Sequence, residues 1–344
     1  MRIAAVQHVI PSRVMTNDDV LAAIRGANAH LDEPALVALE RDVTTFLTAA
    51  GTEIRYVLDE GERAIDLVAA AARRALTAAD LSPGAIDLVI YAGVARGWLE
   101  PSTASVLQGV LGISHASAFD VLDACAGWLR ALQVAHGFLH SGTYRNVLIL
   151  NGECGLYRRY GHYVIEGEGA LAHQLAGYTI GEAATATVVT ADDSTSEYYF
   201  DFQTFPESGM ICVLPSSAAE DFWPGPMDER VHTGRFFAIS QRLLDNCARK
   251  IISTYEANPR LRGQRPTICF GHSAGEKVAQ LIGRRLGLSD VFFGTHRAYG
   301  NTVSASIPLA MSLAQEQGRL KRGDDVLVIV GSAGITVAFA TFKY

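Results

Sequence analysis

Apolar positions along this chain switch repeatedly between helical and strand spacing. Residues 62–81 (ERAIDLVAAAARRALTAADL) place apolar side chains on one Ala-rich face, which predicts an amphipathic helix. The next segment, IDLVIYAGVA at 86–95, is a continuous apolar run with the length of a buried strand, as a parallel sheet covered on both faces requires. Pro101 and Ser102 open a second helical pattern that runs to Leu111. ASAFDVLDA (116–124) reads as a strand, CAGWLRALQVAHGFLHSG returns to helical spacing, and NVLILNGEC (146–154) is a second buried strand.

The C-terminal half repeats this order. It predicts an amphipathic helix over about Thr233 to Tyr255, the strand TICFGH at 267–272 and a helix from Gly275 to Leu286. DVFFG, a helix after Asn301 and a last strand, DVLVIVGSAG at 325–334, follow. The strong strands start at Ile86 and Asn146 in one half, 60 residues apart, and at Thr267 and Asp325 in the other, 58 apart. Two copies of one α/β unit, residues 1–190 and 191–344, account for this better than two unrelated domains. Residues 155–235 fit the alternation least and are expected to supply loops around a site; 207–229, rich in Pro and Ser, reads as an irregular surface or lid segment.

Composition narrows the function. Of 344 residues, 49% are apolar and 19% charged, which supports a sizeable core. The net charge of −7 leaves no basic excess for a phosphate backbone, so nucleic acid is not an expected partner. No apolar stretch approaches the ~20 residues of a membrane helix, and the N-terminus lacks the apolar core of a signal peptide. Five scattered cysteines (Cys125, Cys154, Cys212, Cys247, Cys269) with no CxxC argue against a disulfide framework or a zinc site. The chain therefore reads as a soluble cytoplasmic protein without a metal, and the open question is whether one cysteine does chemistry.

Cys125 lies in DVLDACAGW, where a strand gives way to a helix. Unpaired N–H groups and the positive end of the helix dipole favour a thiolate there, and Ala124, Ala126 and Gly127 leave room for a carbonyl. The alternative is a buried structural cysteine, and that reading is preferred for the other four. His272 ends the strand TICFGH, a place for an acid, base or hydrogen-bond donor, or for an ordinary loop histidine. Asn301, in AYGNTVSASIP, could donate to an oxyanion or simply cap a helix. Two further patterns compete. Gly271-His272-Ser273-Ala274-Gly275 matches GxSxG, but only Asp290 and His296 follow in the order a hydrolase needs, six residues apart. Gly167-Glu168-Gly169 resembles a dinucleotide fingerprint without a preceding strand.

Taken together, Cys125, His272 and Asn301 resemble the site of a beta-ketoacyl-ACP synthase III-type condensing enzyme of the thiolase superfamily. The likeness extends through IAAVQHVIPSRVMTNDDV, PSTASVLQGVLGI, GEAATATVV, GHSAG, YGNTVSASIP and GSAGITVAFA, nearly the whole chain. It implies a five-layered αβαβα fold of two similar halves, a homodimer, and acyl-CoA or acyl carrier protein thioesters as substrates with no permanently bound cofactor. Cys125 would take the acyl group. His272 and Asn301 would hold the second thioester's carbonyl as malonyl loses CO2. The Cys125 N–H and one from the Gly331–Gly334 loop would form the oxyanion hole.

The sequence also departs from the family. Leu47 and Gly51 stand where the family's CoA-clamping Trp and Arg precede Glu53-Ile54-Arg55, and His-Gln-Ala-Asn becomes His272-Ser273-Ala274-Gly275. Glu100 replaces a Phe that crosses the dimer interface. It resembles the basic Glu of olefin-forming, non-decarboxylative Claisen enzymes, or else is a solvated charge at a helix start. Transfer of the acyl group to an oxygen or nitrogen acceptor is the other branch the resemblance allows. Lys277 aligns with a carrier-docking position, and with Arg249, Lys250 and the neighbouring arginines it is expected to contribute to a basic patch near the tunnel mouth.

Overall fold

A computed structural model describes residues 1–157, 162–165, 169–192, 197–272 and 274–344. The strands are β1 (Arg2–Val9), β2 (Arg13–Thr16), β3 (Ile54–Val57), β4 (Leu88–Tyr91), β5 (Ser117–Asp120), β6 (Asn146–Glu153) and β7 (Ala183–Thr190). They continue as β8 (Tyr199–Thr204), β9 (Cys212–Val213), β10 (Phe237–Ala238), β11 (Ile268–Gly271), β12 (Phe292–Phe293), β13 (Asp325–Ser332) and β14 (Thr336–Lys343).

Two five-stranded sheets carry the fold, in the orders β1-β7-β6-β4-β5 and β8-β14-β13-β11-β12. The two orders superimpose strand for strand. In each sheet a central strand (β4, β11) runs parallel to both neighbours, and the next two pairings outward are antiparallel. The repeat read from strand spacing is thus also a repeat of topology. The apolar runs behave as central strands must: every residue of Leu88–Tyr91 and of Ile268–Gly271 is buried.

The helix Ser306–Glu316 lies between the two sheets, packing on β1, β7 and β11, and is buried without interruption from Ser306 to Ala314. Helix Gly127–His140 packs on β6. It buries Trp128, Leu129, Ala131, Leu132, Ala135 and Leu139, and the Trp128 indole N–H donates to Thr187 at 2.9 Å. Helix Ala64–Ala78 covers the outer face of the first sheet and helix Ser240–Ala257 that of the second.

Some boundaries differ from the sequence reading. The helix expected from Thr233 begins at Ser240, because 237–238 pair as β10 with β9. The segment 155–235 holds a central strand, β7, and an edge strand, β8, as well as loops. The helices Asn17–Ala27 and Glu33–Ala50, which the strand-and-helix alternation does not identify, form an appendage closed by Thr16 and Asp32 caps.

Candidate active site

The ends of β6, β11 and β13, where parallel order gives way to loops, converge on one cavity. Its lining includes Cys125, His272 and Asn301, which the sequence separates by up to 176 residues. Gly331, Ser332 and Ala333 complete the reacting end, and Leu156, Ala176, Ile180, Cys212, Val213, Leu214, Phe236, Leu243 and Cys247 form most of the rest.

Cys125 sits in a tight turn, Ala124–Ala126, that leads directly into helix Gly127–His140. Ala124, immediately before it, has φ +42°, a left-handed conformation that costs a non-glycine residue of order 1–3 kcal/mol. Ser332 ties this turn to the end of β13: its hydroxyl accepts from the Ala126 amide at 3.2 Å and donates to the Asp123 carbonyl at 3.2 Å. The Ala333 backbone amide hydrogen-bonds the Cys125 thiol. Within the loop expected to furnish the oxyanion hole, Gly331 therefore lines the cavity, Ala333 reaches the sulfur, and Gly334 does not line the cavity.

The helix-start argument for a thiolate needs correction. Burial pushes the Cys125 thiol well above its ordinary value, and Cys212, Glu153 and Cys247 push the same way; only the Ala333 amide opposes them. Glu153 is fully buried on β6. It accepts from the Val94 and Ala95 amides at 2.9 and 3.0 Å and from the Ser304 hydroxyl at 2.5 Å. Burial raises the Glu153 pKa, and these accepted hydrogen bonds oppose that rise.

His272 follows β11, its backbone amide bonded to the Ile329 carbonyl. Its Nδ1 meets the Ser306 hydroxyl at 2.7 Å, and that hydroxyl donates to the Val303 carbonyl at 2.8 Å. Burial first, and His296 second, lower its pKa to about 4, so the ring is neutral at physiological pH. His296 itself is a core residue, bonded to Thr52 at 2.7 Å.

Asn301 is set by a close backbone crossing. Its amide donates to Thr179, its carbonyl accepts from Gly181, and Gly300 before it has φ +66°. A Cβ on Gly300 would collide with the Thr179 carbonyl, so this approach requires glycine. The Asn301 Oδ1 accepts from the Val303 amide at 3.0 Å, which leaves the side-chain NH2 as the donor for a ligand. Val303, at φ +49°, is a second strained residue beside the cavity.

The other expected residues lie elsewhere. Glu100 is exposed on the loop after β4, outside the cavity. It precedes the Ser102 cap of helix Thr103–Val110 rather than occupying the helix start. Lys277 is exposed in the first turn of helix Glu276–Leu286, Arg249 bonds Asn246, and Lys250 pairs with Glu207 at 3.1 Å; none lines the cavity. Leu47 is buried among Leu39 and Val43. Gly51, with φ +74°, caps helix Glu33–Ala50 so tightly that a Cβ would stand 2.6 Å from the Glu276 Cβ. No clamping side chain can project from either position. Ser273, the serine of the GxSxG pattern, lies outside the described residues, as do Gly167 and Glu168. Cys154 and Cys269 are core residues as expected, but Cys212 and Cys247, read as ordinary, share the cavity with Cys125. Ser306, Ser332 and Ala333 carried no signal of their own in the sequence, since their roles come from backbone crossings.

Comparison with known proteins gives the family and the fold. Residues 119–206 match the family model 3-oxoacyl-acyl-carrier-protein (ACP) synthase III, and 262–344 its C-terminal counterpart. A beta-ketoacyl-acyl-carrier-protein synthase III of Aliarcobacter butzleri is 31% identical over 304 residues, 86% of this chain and 87% of that one. The same enzyme of Caldanaerobacter subterraneus is 27% identical over 343 residues, 95% and 99% of the two chains. Among solved structures, 3-oxoacyl-acyl-carrier-protein synthase III of Aquifex aeolicus superposes with a TM-score of 0.80 at 24% identity, covering 100% and 99%. Xanthomonas campestris OleA with bound lauric acid and lauroyl-CoA gives 0.84 at 23%, covering 99% and 98%. The chain has the thiolase fold and belongs to the beta-ketoacyl-acyl-carrier-protein synthase III family of condensing enzymes.

Proposed function

We propose that this protein takes an acyl group from a thioester onto Cys125 and joins it to a second, malonyl-type thioester by decarboxylative Claisen condensation. The observation that carries this reading is the convergence of Cys125, His272 and Asn301 on one cavity. In the first step the Cys125 proton passes to neutral His272. The sulfur bonds to the thioester carbonyl carbon while the Cys125 and Ala333 amides hold the oxyanion, and the departing thiol recovers the proton. In the second step the malonyl thioester carbonyl sits between His272 and the Asn301 NH2. CO2 leaves, the two donors hold the enolate oxygen, and its carbon attacks the acyl group and frees Cys125.

The donor is best supplied by an acyl carrier protein, because Leu47 and Gly51 give no clamp for a free nucleotide. Lys277 is the proposed docking cation, with Arg249 and Lys250 beside it in function if not in the cavity. The active form is a homodimer joined at the edge strand β5, where Leu99 and Leu122 are 84% and 62% exposed. Glu100 lies on that same surface. A base role for it, in a non-decarboxylative reaction, would require the site of the other subunit.

Product analysis tests the reaction. Release of CO2 from a malonyl thioester that depends on both Cys125 and Asn301 supports condensation. An ester or amide product without CO2 supports acyl transfer instead.

A further inference from the structure

We infer that Glu153 is a positioning residue for both His272 and Asn301, acting through the one peptide that joins Val303 to Ser304. The inference rests on the condensation reading above and adds a residue to its machinery.

Val303 is the junction. Its N–H donates to the Asn301 Oδ1 at 3.0 Å and so aims the Asn301 NH2. Its C=O accepts from the Ser306 hydroxyl at 2.8 Å, and that hydroxyl meets the His272 Nδ1 at 2.7 Å. The backbone of one residue thereby sets two of the groups that face the cavity. That backbone is strained, because φ +49° lies in the left-handed region that a β-branched side chain seldom enters. A residue keeps such a conformation only where its surroundings over-determine it.

Glu153 supplies the restraint. It is fully buried at the end of β6, and its Oε1 accepts from the Ser304 amide at 3.4 Å and from the Ser304 hydroxyl at 2.5 Å. The Val303–Ser304 peptide is thus held at both ends, its C=O by Ser306 and its N–H by Glu153. Asn151, also fully buried, donates its Nδ2 to the Ser304 hydroxyl at 3.0 Å, which leaves the hydroxyl hydrogen for Glu153. On its other side the Glu153 carboxyl is anchored to the loop after β4, with Oε1 on the Val94 amide and Oε2 on the Ala95 amide. Val94 itself lines the cavity. Ser304 also abuts the turn that carries Cys125, since a Cβ on Gly127 would lie 3.5 Å from the Ser304 Cβ.

The position demands a carboxyl group. Both of its oxygens meet backbone N–H donors, and those donors have no acceptor form. A glutamine would set its NH2 against one of them whichever way the amide turned. A buried donor facing a donor is relieved only by movement of one of the two elements that Glu153 joins.

The test compares the full-length wild type with Glu153→Gln and Ser304→Ala. Acylation of Cys125 by hexanoyl pantetheine is followed by intact-protein mass spectrometry, and CO2 release from malonyl pantetheine by steady-state kinetics across pH. Each rate is scaled to the fraction of chains that finally carry an acyl mass, which removes unfolded protein from the comparison. Glu153→Gln should lower kcat for CO2 release about 10²-fold and acylation about tenfold, with KM for malonyl pantetheine changed by less than about threefold. The acid limb of its pH profile should also move, since the Ser306 partner of His272 is no longer fixed. Ser304→Ala keeps the backbone bond to Glu153 and should fall about tenfold in kcat, so it decides the matter if the glutamine variant does not fold. Wild-type scaled rates and pH profile in the variants overturn the role of Glu153 and leave the acyl-enzyme reading standing. Equal losses of acylation and CO2 release with an unmoved pH profile make Glu153 merely structural and overturn it too. A wild type that takes no acyl mass on Cys125 overturns the acyl-enzyme reading and this inference with it.

Discussion

The Nδ1 of His272 and the hydroxyl of Ser306 are 2.7 Å apart, and the hydroxyl hydrogen is committed to the Val303 carbonyl. With the hydroxyl turned to the Val303 carbonyl, Nδ1 is the protonated ring nitrogen and Nε2 keeps its lone pair. This tautomer suits the acceptance of a proton from Cys125. Donation from Nε2 to an enolate needs the opposite tautomer: Nε2 takes a proton from solvent, Nδ1 gives its proton up, and the Ser306 hydroxyl turns to donate to the Nδ1 lone pair. Ser306 is thus a positioning residue that selects the role of His272. Ser306→Ala should lower turnover on the order of 10²-fold and displace the acid limb of the pH profile, and Ser306→Thr should restore much of both. An unchanged pH profile in the alanine variant would remove Ser306 from the mechanism.

In the proposed mechanism Asn301 acts in the second half-reaction and not in the first. Its Oδ1 is held by Val303, so its NH2 is available to an oxyanion before substrate arrives. Asn301→Ala should still show an acyl mass on Cys125 but should lose malonyl decarboxylation by roughly 10²–10³-fold. Equal loss of both steps would mean that the residue maintains structure and does not act on the enolate.

Stability should peak between about pH 6.5 and 9. The folded His272 titrates near 4, below its ordinary 6.5, so the unfolded chain takes up the extra proton first and stability falls as pH drops from 6.5 toward 4. The folded Cys125 titrates above its ordinary 9.0, so the unfolded chain ionises first and stability falls as pH rises past 9. Urea unfolding across pH should show both limbs, with the alkaline one shallower in Cys125→Ala. Iodoacetamide should likewise react slowly at pH 8. Fast alkylation at that pH would show that the thiol is not raised.

Gly300→Ala should be among the most damaging single-methyl changes in the protein. The added Cβ meets the Thr179 carbonyl in a left-handed backbone, so the crossing that places Asn301 must part. A loss of about 2–4 kcal/mol in unfolding free energy, with loss of condensation, is expected. Wild-type stability in this variant would contradict the crossing.

Much of this was legible in the sequence. Continuous apolar runs such as Ile86–Ala95 announce central strands, since both faces of those strands are buried. Cys125, His272 and Asn301 stood as candidates at strand ends or loops with small neighbours, the family resemblance joined them, and the fold brings all three to one cavity. The remaining site residues could not be named, for a physical reason. Ala333 acts through its amide, Ser306 through a bond to a residue 34 positions away, and Cys247 through the face of a helix whose partner loop is set by tertiary packing. The thiol's state was misjudged for the same reason. The helix start is local and visible, whereas the burial that outweighs it comes from the assembled fold.

The most direct measurement of the central claim is the mass of the protein after incubation with butanoyl or hexanoyl pantetheine. The account predicts a single acyl adduct, mapped by peptide analysis to Cys125 and absent from Cys125→Ala. An adduct that persists in Cys125→Ala, or that maps to Cys212 or Cys247, would contradict it.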